Sequence, residues 1–130
     1  MIGSYNKKSV LFTVAYDPAA DEVWPLWRAP DACEVTAVYA TVANDVGAST
    51  AAYFDLTLRN GGSAGTATTA LTAAIGGTPA WTGLTPKTAT VSQGTLAAGD
   101  MVTCAYDETG TGTFTQVTIQ IDYVLGVGAN

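Results

Sequence analysis

Four stretches of this chain alternate apolar and polar residues with a period of two, and no stretch of ten or more residues carries a helical period with a cap at its start. That alternation constrains the fold more than any other feature. Side chains along a strand point to opposite faces in turn, so strict alternation means one buried face and one wet face. In residues 9–16, Val10, Phe12, Val14 and Tyr16 share a face. In 51–60, Ala52, Phe54, Leu56 and Leu58 oppose Tyr53, Asp55, Thr57 and Arg59. In 101–107, Val102, Cys104 and Tyr106 alternate with Thr103 and Ala105. In 116–124, Val117, Ile119, Ile121 and Tyr123 oppose Thr118, Gln120 and Asp122. Val102, Cys104, Tyr106, Val117, Ile119 and Ile121 are therefore expected in the core.

Residues 33–43 differ. Cys33, Val35, Ala37 and Tyr39 form one face; Thr36, Val38, Ala40 and Val42 form another that is nearly as apolar. A strand apolar on both faces is either central or covered by a second subunit. Val38, Ala40 and Val42 are accordingly expected at a subunit interface.

Turn chemistry separates the strands. DPAADE (17–22), NDVGAS (44–49), RNGGSAG (59–65), GGTP (76–79), AAGD (97–100) and DETGTGT (107–113) supply Gly, Pro, Asn or Asp where a positive or fixed φ is useful. Residues 63–75 are rich enough in Ala to tolerate a helix, but their Thr and Gly favour an extended strand or loop. The expected fold is all-β: a single jelly-roll-like antiparallel β-sandwich of roughly eight strands. It spans residues 9–130, after an N-terminal arm at 1–8.

Composition narrows the function. Thr (21 residues) and Ala (22) dominate, and charged residues make up 12% of the chain. The net charge is −6, and Lys7-Lys8 is the only basic pair, so the clustered cations that nucleic-acid binding requires are missing. No apolar run reaches the ~18–20 residues of a membrane-spanning helix. NKKSVLFTVAYDPAAD has the order of a signal peptide, but its apolar run is short, alternates, and ends at Asp17-Pro18; it reads as a first strand. Without an export signal, Cys33 and Cys104 are expected as reduced, buried thiols.

The chain has no histidine, which excludes Ser-His-Asp and Cys-His nucleophile systems and the usual zinc sites. No glycine-rich phosphate loop is present. Asp100, Asp107 and Glu108 lack the spacing of a calcium loop or a glycosidase pair and fit turns better. No cofactor or metal is expected. Trp24, Trp27 and Trp81 fit a sugar platform in principle, but packing is the commoner use of large aromatics in a small sandwich.

RAP-ACEVTAV, LTLRNGGSAGT, LAAGD and GTGT together give this chain a resemblance to the small jelly-roll decoration, or cement, proteins on the heads of tailed bacteriophages. The matching positions are Arg28-Ala29-Pro30, Glu34 to Val38, Leu56 to Thr66, Ala97 to Asp100 and Gly110 to Thr113, within residues 26–124. The resemblance implies a non-enzymatic virion protein on the capsid exterior, assembled in the host cytoplasm, commonly a homotrimer, that braces the major capsid protein. Tyr5, Lys7 and Lys8 of the arm, with Trp24 and Trp27, are the expected capsid contact. A fibre or tail module that binds carbohydrate or a receptor is the alternative and would expose coplanar tryptophans. A small hydrolase or enzyme inhibitor would need a polar cleft.

Overall fold

The computed structural model describes residues 7–126. Ten strands form among these residues: β1 (Lys7–Val14), β2 (Glu22–Arg28), β3 (Cys33–Val42), β4 (Tyr53–Asn60), β5 (Thr69–Ala70), β6 (Ile75–Gly76), β7 (Lys87–Ala89), β8 (Thr95–Leu96), β9 (Met101–Thr109) and β10 (Val117–Leu125). No helix occurs among the described residues. One sheet runs β1-β10-β3-β7, with β8 also on β3; the other runs β2-β9-β4-β5, with β6 also on β4. Every pairing is antiparallel.

The chain passes from one sheet to the other at nearly every connection. β5 and β6 occupy one broken strand position beside β4, and β7 and β8 another beside β3, which reduces ten strands to eight positions. That order, with β1 beside β10 and β2 beside β9, is a jelly roll. The expected fold class is the one observed. The start differs slightly: Lys7 and Lys8 belong to β1, paired with Val124 and Tyr123, and are not part of an arm.

The alternating strands bury the faces their sequence implies. Val102, Cys104, Tyr106, Val117, Ile119 and Ile121 have no exposed surface. At one end of the core the aromatics stack on one another. Trp24 lies 5.5 Å from Tyr106, Phe54 5.6 Å from Tyr106, and Trp81 5.3 Å from Phe54, with Phe114 edge-on to Tyr106 at 5.8 Å. Such pairs contribute about 0.5–1.5 kcal/mol each beyond the area they bury. The buried Tyr106 hydroxyl donates to the Gly112 carbonyl at 3.3 Å. Gly112 must be glycine, because a Cβ there would sit 2.4 Å from the Tyr53 carbonyl carbon.

β3 carries a bulge that changes the reading of its two faces. Ile121 pairs with Val38 and Asp122 with Ala37, but Tyr123 pairs with Val35, so Thr36 is left over. An extra residue on one strand shifts its side-chain phase. Cys33 and Val35 before the bulge and Val38, Ala40 and Val42 after it therefore all face the core. Their exposures are 0, 2, 0, 0 and 1%. The expectation that Val38, Ala40 and Val42 form a subunit interface is thus corrected: this chain's own second sheet covers them. The strand buried on both faces is β9. Thr103 and Ala105 point outward yet are buried. They are small residues between larger neighbours, Pro25 and Arg59 flanking Thr103, Val23 and Thr57 flanking Ala105.

Candidate interaction surface

Polar residues line two open clefts, one of about 530 Å³ with Asn44 and Asp45 and one of about 370 Å³ with Glu34, Asn60, Thr69, Ser92 and Gln93, while several loop carboxylates are tied to the fold. Asp100 accepts the Asn60 side-chain amide at 3.1 Å and the Ala97 N–H at 2.9 Å, fixing the turn between β8 and β9. Glu108 donates its backbone N–H to Asp21 at 2.8 Å. Asp100 and Asp107 lie toward opposite ends of β9, so they cannot share a substrate or an ion. Among the described residues no three His, Cys, Asp or Glu side chains gather as metal ligands.

The tryptophans are packed. Trp24 is only 6% exposed. Its indole N–H donates to Glu22 at 2.8 Å, and the same carboxylate oxygen accepts the Tyr16 hydroxyl. These two bonds hold the Glu22 carboxyl below its ordinary pKa, Tyr16 first and Trp24 second. Trp81 is buried against Phe54, with the Lys87 ammonium 4.5 Å above its ring. Trp27 is half-buried and tilts against Tyr123 at 4.6 Å. No platform of exposed, coplanar tryptophans forms.

This arrangement also revises the expected capsid contact. Trp24 is a core residue, unavailable to a partner. A second bulge explains its neighbour: Pro25 pairs with Thr103 and Trp27 with Val102, leaving Leu26 over and turning Trp27 inward toward the other sheet. Lys7 and Lys8 are exposed at the start of β1. Tyr5 lies outside the described residues.

What the sequence did not announce is an open side. β1 and β2 are edge strands joined by residues 15–21, and Trp27 of β2 reaches Tyr123 beside β1. Val10, Phe12 and Val14 of β1 pack on the core but are only partly buried, as are Leu26 and Trp27 of β2. Their partners on β10, Ile121, Ile119 and Val117, are fully buried. The outward-facing Leu11 is 62% exposed and borders a shallow groove of about 270 Å³ with Thr118, Gln120 and Leu84.

No protein-family model, no curated protein and no solved structure matches this chain.

Proposed function

We propose that this chain is a non-enzymatic decoration protein that binds the outside of a phage head and stabilises the lattice of the major capsid protein. The observation that carries the proposal is the strand order. It is that of a jelly roll, the fold which the pattern of corners and turns at residues 26–124 implied. Two further observations support it. Asp21, Asp45 and Asp100 of the loops each accept a backbone N–H and so serve the turns, as in a protein whose product is a surface. The tryptophans are spent on packing, which removes the platform that a carbohydrate-binding module would present.

On this reading the capsid contact is made by the segment ahead of β1, which contains Tyr5. Trp24 is no part of it. The trimer that the resemblance implies now rests on the resemblance alone, since Val38, Ala40 and Val42 are enclosed by their own chain.

The test is co-sedimentation with undecorated phage heads. The full chain is expected to pellet with the particles and to raise the temperature at which they rupture. Deleting residues 1–6 leaves the sandwich folded and removes binding. If the full chain ignores the particles and instead binds immobilised glycans, the receptor-binding module takes its place.

A further inference from the structure

We propose that two copies of this chain pair edge to edge through β1, antiparallel about a two-fold axis at Leu11, to make one continuous sheet across the pair.

The argument starts from the four sheet edges. A free edge presents unpaired N–H and C=O groups, and natural sandwiches blunt such edges with proline, bulges or very short strands. Three of the four are blunted here. β2 carries Pro25 and a bulge at Leu26. The β5/β6 edge is broken into two fragments of two residues. The β7/β8 edge is broken into fragments of three and two. β1 alone is long and regular: eight residues without proline, in unbroken register with β10 from Lys7 to Val14. Among the described residues it pairs with β10 only.

The side chains make the same point. Core-facing Val10, Phe12 and Val14 remain partly open, and Leu11 lies largely in solvent on the other face. A strand added beside β1 would cover both sets at once.

Charge selects the occupant. β1 opens with Lys7 and Lys8, and the chain just beyond its end holds Asp17. A complementary strand must be apolar at alternate positions, basic at one end and acidic just past the other. β1 run antiparallel to itself satisfies all three conditions. Residues directly opposite in an antiparallel pair share a face, so the two core-facing sets align only if paired numbers sum to an even value. A centre at Leu11 meets this requirement. It sets Leu11 against its copy, Val10 against Phe12, Lys8 against Val14 and Lys7 against Ala15, so that Lys7, on the same face as Leu11, is the lysine diagonal to the partner's Asp17. The contact is isologous, so each interaction occurs twice. Lys7 is thereby assigned to the contact between copies, and the capsid contact proposed above is made by residues 1–6 ahead of it. The pairing does not depend on that function and is tested without capsids.

Sedimentation of the full chain is expected to show a dimer. Leu11→Cys should form a disulfide-linked dimer under a mild oxidant, because facing residues of an antiparallel pair lie about 4.5–5.5 Å apart, within disulfide reach. The buried Cys33 and Cys104 stay out of this reaction. Lys7→Glu should weaken the dimer about tenfold, since the change acts twice across the axis. Adding Asp17→Lys should recover most of that loss, which a merely structural role for Lys7 would not produce. A monomer at about 100 µM, where even weak specific dimers form, would overturn the proposal. So would a trimer indifferent to these substitutions, or Leu11→Cys that stays uncrosslinked.

Discussion

Asp55 on β4 lies directly across from Asp107 on β9, a like-charged pair in register on the outer face of the sheet. The Asp55 carboxyl is pushed above its ordinary pKa, first by burial and then by Asp107, with Lys87 pulling the other way. A carboxyl with a raised native pKa holds its proton more tightly folded than unfolded. The stability it contributes is full in acid and is lost as pH rises through the interval above the ordinary Asp value.

Asp107→Asn removes one side of that repulsion. It should stabilise the protein at pH 7 by about 0.2–1 kcal/mol, the range of cross-strand pair energies. Below about pH 3, where carboxyls are protonated, the gain should vanish. Thermal unfolding at the two pH values checks this; equal melting temperatures for variant and parent at pH 7 would refute it.

The cysteines should be silent in the native state. Both are free and buried, and burial pushes the Cys104 thiol up to about 12. The thiolate is the reactive form, so a thiol reagent at pH 8 should label neither residue until denaturant is added, and then both. Native labelling of Cys104 would show that the core opens near β9.

The bulge in β3 separates two kinds of change at one position. Thr36→Ala loses only a hydrogen bond to the Asp122 carbonyl, 3.3 Å long, and should cost about 0.5–1.5 kcal/mol. Deleting Thr36 removes the extra residue, and Val35, Ala37 and Val38 then face Tyr123, Asp122 and Ile121 in regular alternation, so Cys33, Val35, Val38, Ala40 and Val42 all keep their core face. The deletion should therefore leave a folded protein, whereas deleting Ala37 together with Thr36 would turn one set of these residues out of the core, where burial of each Val is worth about 1.5–3 kcal/mol. Circular dichroism and denaturant titration distinguish these outcomes; a Thr36 deletion variant that does not fold would mean that the bulge itself is required.

Leu84 holds a left-handed backbone, φ 61°, while 78% exposed, and its N–H donates to the Val42 carbonyl at 2.8 Å. Left-handed geometry costs a residue with a Cβ about 1–2 kcal/mol, whereas glycine loses about 0.4–1 kcal/mol through its freer unfolded chain. Leu84→Gly should therefore be as stable as the parent or more so by up to about 1.5 kcal/mol, and more stable than Leu84→Ala. Chemical denaturation in which the Gly variant is the weakest of the three would contradict the conformational argument.

The core of β4, β9 and β10 was readable from alternation because those strands keep their phase wherever it was used to assign a core residue. β3 and β2 were not, because a bulge adds one ordinary residue, Thr36 or Leu26, and changes no composition. It converts a one-faced strand into an apparent two-faced one. Outward burial at Thr103 and Ala105 was hidden for a different reason: their neighbours Val23, Pro25, Thr57 and Arg59 are distant in sequence. The turns were readable since glycine and aspartate mark them locally, as the Asp100 cap shows. The open side was not, because it depends on which strands end up at the margins of each sheet.

The pairing of β1 with β10 fixes when this protein can fold on the ribosome. β1 is made first, and its partner on the same sheet is residues 117–125. At about 5–20 residues per second, roughly 5–20 s pass between the synthesis of Val14 and that of Val117. Throughout that interval Val10, Phe12 and Val14 have no strand to rest on. The sheet that contains β1 closes only after the last strand has left the exit tunnel, and until then these residues are open to any chaperone that binds extended apolar chain.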